Sequence, residues 1–65
     1  MGVPHLEKLR DYLQKNADKA FSRTVLRDTL KQNFSTVEQN LQYLIEVEGT
    51  VKKTMKEGKE LYQWK

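Results

Sequence analysis

Six hydrogen-bonding side chains, Ser35, Thr36, Gln39, Asn40, Gln42 and Tyr43, fall within nine consecutive positions, and none of them carries a charge. Amides and hydroxyls are the groups that read base edges: Asn and Gln bond adenine N6 and N7 in a bidentate way, while Ser, Thr and Tyr bond to bases or phosphates. A second set is cationic. Arg23, Arg27 and Lys31 recur every four residues, and Lys52, Lys53, Lys56 and Lys59 cluster further along the chain. Such groups neutralise phosphates. Each set also has a plain reading. The polar row fits a solvated helix face, the four-residue repeat fits a solvated helix edge, and lysines on strands fit protection of a sheet edge against aggregation.

Other chemistries lack their residues. There is no cysteine for a nucleophile, a thiolate metal site or a disulfide. The single histidine, His5, falls in the first turn of the first expected helix, where a solvated side chain fits better than a metal ligand. No glycine-rich phosphate loop and no scaffolded carboxylate pair occurs. No catalytic residue, metal or cofactor is expected, and the chain does not read as an enzyme.

Several elements must position the polar row. Val37, Leu41, Leu44 and Ile45 follow at i, i+4, i+7 and i+8, a single apolar stripe at about 100° per residue. The helix is expected to begin at Ser35, with Glu38 completing an S-x-x-E capping box, and to end at Gly49 in a left-handed conformation. Opposite the stripe lie Ser35, Gln39, Gln42, Tyr43 and Glu46, with Thr36 and Asn40 at the edge. A first helix from Pro4 to Asn16 offers Leu6, Leu9, Tyr12 and Leu13 to the core. Phe21 falls in a short extended segment. Ser22 then caps a second helix reaching about Gln32, with Val25, Leu26 and Leu30 inward and Asp28 placed to pair with Lys31. Gln32-Asn33-Phe34 makes the turn into the third helix, Asn33 as the left-handed residue and Phe34 as a plug beneath it.

Past Gly49 the periodicity becomes alternating. Thr50–Met55 and Glu60–Trp64 read as two strands around a turn at 56–59, with Val51 docking on the helices and Tyr62 and Trp64 sharing one face. A base-stacking role for Tyr62 and Trp64 on single-stranded or left-handed nucleic acid has only their aromatic character behind it.

Charge brackets the central helix. Residues 1–32 hold seven Lys/Arg against four Asp/Glu, residues 33–49 none against three, and residues 50–65 five against two. Phosphate binding is therefore expected from the flanks. The net charge of +3 points only weakly to a polyanion. No apolar run spans a bilayer and no signal-peptide pattern opens the chain, so a soluble, intracellular protein without a membrane partner is expected, in a prokaryotic cytoplasm or a eukaryotic nucleus.

The order helix, short strand, helix, turn, helix, hairpin resembles the winged helix-turn-helix family over 4–64. The residues most like it are STVEQNLQYLIEVEGTV, 35–51; the closing KTMKEGKELYQW, 53–64, is similar in layout to the wing of meiotic homologous-pairing factors and of small prokaryotic and archaeal-virus regulators. The resemblance implies one α+β domain over 1–65, with three helices and a small antiparallel β-hairpin wing. It implies double-stranded DNA as partner, for a transcription or recombination factor or its DNA-binding module, with the third helix in the major groove. Carried over by position, Thr36, Gln39, Asn40 and Tyr43 face bases or nearby phosphates, and Arg23, Arg27, Lys52, Lys53, Lys56 and Lys59 anchor phosphates. A module of this size binds weakly alone, so a homodimer or larger assembly is expected. The third helix departs from the family habit in having no Arg or Lys. Winged helices also serve as protein-protein modules without DNA binding, and an acidic, amide-rich third helix is compatible with that alternative.

Overall fold

A computed structural model describes residues 3–65, with side chains from His5 onward. Helix α1 runs Val3–Lys15, strand β1 Ala20–Phe21, helix α2 Arg23–Leu30 and helix α3 Phe34–Tyr43. Helix α3 continues through one wider π turn, Leu44–Glu48, and strands β2 Val51–Lys56 and β3 Lys59–Trp64 close the chain. The three strands form one antiparallel sheet in the order β1-β3-β2. The architecture is thus α+β, three helices on a three-stranded sheet, with β1 extending the expected hairpin by a third strand.

Local chemistry sets the element ends. Ser22 has extended backbone, and its Oγ accepts the Val25 N–H at 3.2 Å, capping α2. Asn16 closes α1, its Nδ2 donating to the Tyr12 carbonyl at 2.9 Å. Gly49 ends α3 at φ 66°, and its N–H donates to the Leu44 carbonyl five residues back. In an uninterrupted α-helix Glu48 would continue the stripe of Val37 and Leu41. Within the wider turn its carboxylate accepts from Arg10 of α1, from Nε at 3.2 Å and from Nη2.

The core comprises Leu9, Leu13, Leu26, Val37, Leu41, Leu44, Val51 and Tyr62, with Leu6, Tyr12, Phe21, Leu30, Ile45 and Trp64 packed against it. All three helices and the sheet contribute, which fixes their mutual placement. Phe21 lies opposite Tyr62 in the β1–β3 register and packs its ring 5.2 Å from that of Tyr12.

Several expectations are corrected at the turn between α2 and α3. Helix α2 stops at Leu30, not Gln32, and the left-handed residue is Lys31 (φ 55°), whereas Asn33 is extended (φ −68°, ψ 147°). Left-handed Lys31 lets both its own N–H and that of Gln32 reach the Arg27 carbonyl, as helix-ending motifs require. Asn33 then occupies the N-cap of α3, so Ser35 lies inside the helix and the capping box does not form. The Val37 N–H donates to the Asn33 carbonyl at 3.0 Å, and Glu38 is drawn away to Arg23. Phe34 does not plug the core; it is 38% exposed, as Val25 is at 44%. Gln32 turns inward instead, buried, with Nε2 donating to the His5 carbonyl at 3.2 Å. Asp28 pairs with Arg27 rather than Lys31.

The hairpin register fixes which side chains share a face. Val51 lies opposite Trp64, Lys53 opposite Tyr62 and Met55 opposite Glu60, all on the face that meets the helices. Lys52, Thr54 and Lys56 lie opposite Gln63, Leu61 and Lys59 on the outer face. The two-residue turn Glu57-Gly58 has positive φ at both positions, 53° and 79°, as in a type I′ turn. Left-handed backbone is costly for Glu. Glu57→Asn, giving the favoured Asn-Gly pair, is therefore expected to stabilise the fold by up to about 1 kcal/mol. A thermal melt reads this directly, and an unchanged or lower melting temperature contradicts the turn geometry.

Candidate nucleic-acid interface

The residues expected to touch bases divide by exposure. Ser35, Gln39, Gln42 and Tyr43 are exposed along α3, with Gln42 Nε2 donating to the Glu46 carboxylate at 3.0 Å. Thr36 and Asn40 are half-buried. The Asn40 Nδ2 is enclosed and has no hydrogen-bond partner among the described residues, so its donor is not offered outward. The row open to a ligand is therefore Ser35, Gln39, Gln42 and Tyr43, with Glu46 at its lower end.

The expected phosphate anchors divide by what they already hold. Lys31, Lys52, Lys53, Lys56 and Lys59 are exposed. Arg23 and Arg27 are engaged within the fold. The Arg23 guanidinium pairs with Glu38 on α3, lies 3.7 Å from Glu60 on β3, and stacks over the Phe34 ring at 5.2 Å from its centroid. Arg27 pairs with Asp28 at 3.1 Å and lies 6.0 Å from the same ring. The basic ridge is broken a second time because α2 ends before Lys31.

Sequence reasoning missed the role of Arg23 as a junction between α2, α3 and β3, and the Arg10–Glu48 pair between α1 and the end of α3. Their partners lie 15 to 38 residues away, so no local spacing signals them. The hydrogen bond from Arg10 to Glu48 raises the pKa of that guanidinium, with burial acting in the opposite direction.

Between α3 and the inner face of the hairpin lies a depression of about 390 Å³, lined among others by Arg23, Glu38, Glu46, Lys53, Glu60 and Tyr62. Three carboxylates against two cations make it a poor seat for a phosphate. The outer face of the hairpin is different. Its strand positions hold Lys52, Lys56 and Lys59 with Thr54, Leu61 and Gln63, and no carboxylate. Register thus turns Glu60 inward to Arg23 and leaves three lysines together outside; Glu57 sits in the turn at the tip.

No known protein family, curated protein or solved structure matches the chain. Among the described residues no helix is long and apolar enough to cross a membrane.

Tyr62 closes the depression and reports on it. Burial raises its phenol above the ordinary tyrosine value; nearby Arg23 acts in the lowering direction, and the hydrogen bond from Oη to Glu60 at 3.2 Å raises it further. Because the folded state holds the proton more tightly, this contribution to stability is fully present below the unfolded pKa of about 10. It is lost as pH rises through the higher folded value. The melting temperature of the native chain should therefore fall above about pH 10 more steeply than that of Tyr62→Phe. Parallel curves would show that Tyr62 does not titrate as its surroundings dictate.

Proposed function

We propose that the chain is a winged helix-turn-helix module that binds double-stranded DNA as a transcription or recombination factor, or as the DNA-binding part of one. The element order α1, β1, α2, α3, β2, β3 is compatible with that family's layout. The observation that carries the proposal is the segregation of Lys52, Lys56 and Lys59 on the outer face of the hairpin, whose strand positions hold no carboxylate. In this reading the hairpin lysines anchor phosphates and the exposed row Ser35, Gln39, Gln42 and Tyr43 is offered to the major groove. An amide pair such as Gln39 and Gln42 suits adenine N6 and N7. Glu46 lies at the end of α3 away from its N-terminus, so a helix entering by its N-terminal end keeps that carboxylate from the phosphates.

Fluorescence anisotropy with a labelled duplex of about 20 base pairs tests the reading, with affinity measured across salt concentrations. Three or four neutralised phosphates give a log–log slope of about −3 to −4. Lys56→Glu combined with Lys59→Glu should weaken binding strongly and make the slope shallower by about 2. Both side chains are exposed, so the fold should be undisturbed. A duplex bound equally well by the variant rules out the hairpin as anchor. Absence of binding at low salt would leave the protein-protein module as the reading to pursue.

A further inference from the structure

Strand β2 is an edge of the sheet along its whole length, Val51–Lys56, with β3 on one side and no strand among the described residues on the other. Lys56 and Lys59 flank a two-residue turn, so they form a hydrogen-bonded pair. The ladder alternates from there: Lys53 and Met55 direct their backbone N–H and C=O groups away from β3. These groups form a short template for another strand.

Side chains on this edge specify what such a strand must look like. Half of β2 is lysine, it has no acidic residue, and none of its lysines is in an ion pair with a described side chain. On the inner face Met55 is 63% exposed and, with half-uncovered Phe34, supplies the apolar part of a second depression of about 530 Å³ whose other walls include Arg23, Lys59 and Glu60. The guanidinium groups of Arg23 and Arg27 lie over the Phe34 ring, 5.2 and 6.0 Å from the centroid. An added strand has side chains alternating between the two faces. Those on the outer face meet Lys52, Thr54 and Lys56; those on the inner face meet Met55, beside Phe34, and Lys53, whose side chain lines the first depression among Glu38, Glu46 and Glu60. A second copy of β2 would set lysine against lysine, which like-charge pairing disfavours.

We infer that β2 is a docking edge for an extended peptide segment in which acidic and apolar residues alternate. The segment adds as a fourth strand: its backbone pairs with Lys53 and Met55, its carboxylates lie along Lys52 and Lys56, and an apolar side chain fills the groove of Met55 and Phe34. This is strand addition with specificity from alternate side chains. The inference stands apart from DNA binding, although Lys52 and Lys56 serve both, so the two partners exclude each other.

The test uses the full chain and a fluorescein-labelled, end-blocked peptide of alternating Glu and Leu, about seven residues long to match β2. Three comparison probes are a peptide of the same composition with Glu and Leu in separate blocks, the alternating peptide N-methylated at every second amide, and unlabelled duplex DNA. Expected are saturable anisotropy, at least tenfold weaker binding of the blocked and N-methylated peptides, and slowed hydrogen exchange at Lys53 and Met55 in the complex. Met55→Glu should weaken the alternating peptide about tenfold; Met55 is exposed, so folding is retained. Duplex DNA should displace the bound peptide. Equal binding of the alternating and blocked peptides would reduce the effect to charge attraction and overturn the proposal. So would protection of the same amides by concentration-dependent self-association, which would assign the edge to a second copy. Failure of the chain to bind DNA alone leaves the peptide result standing.

Discussion

The parity of the hairpin is the constraint on which the remainder of this small fold depends. Val51 and Tyr62 are the sheet's two fully committed core residues, and both project inward only in the observed register. A slip by one residue in β2 would turn Val51 to solvent and set Lys52 against the helices. That alternative is closed by the two-residue turn, which fixes the loop length, and by the cost of burying an unpaired ammonium group. The same parity places three lysines outside and brings Glu60 inside to Arg23. Core formation and surface charge are therefore one decision.

Arg23 completes what parity begins. It sits at the first position of α2 and meets carboxylates from α3 and β3, so the groove between the third helix and the hairpin is spanned by one guanidinium. Its side chain is 31% exposed and Glu38 is 52% exposed, so the pair is screened and worth no more than about 1 kcal/mol. Its importance lies in geometry. A planar fork that satisfies two carboxylates and covers Phe34 limits how far the hairpin can swing from α3.

Most of the framework was legible in the sequence because it follows from periodicity. The stripe of Val37, Leu41 and Leu44, the Ser22 cap, Gly49 and the alternating strands each carry a local signal, and each occupies the expected place. Errors concentrate at the turn between α2 and α3, where Asn33 and Ser35 are equally good N-caps by composition. Tertiary pull on Glu38 removes the reciprocal half of the capping box, and the helix begins one residue before Ser35. Phe34 misled for a related reason. Its size suggests the core, but at the first turn of α3 it lies beyond the packed layer, where two arginines stack on its ring. For the candidate interface, sequence supplied the lysines and register sorted them. Arg23 and Arg27 looked equivalent to Lys31 by spacing alone, and only long-range ion pairs and a left-handed backbone separate the three.

A domain resting on eight buried apolar side chains among its described residues has little interior with which to specify anything beyond its own fold. Its surfaces must then carry recognition through charge and hydrogen-bonding pattern, and β2 shows how both are arranged on one strand. β-Branched or aromatic residues at Lys52 and Lys56 would suit a strand better, yet they would leave an apolar edge open to identical copies. Lysines there keep like edges apart. The same positive row attracts any partner bearing opposite charge at a matching spacing, whether phosphates along a duplex or carboxylates along an extended chain. These two partners ask different things of β2, since a phosphate backbone needs only the ammonium groups, whereas a strand also needs the outward N–H and C=O of Lys53 and Met55. Backbone geometry, rather than charge, is thus what distinguishes one use of the edge from the other.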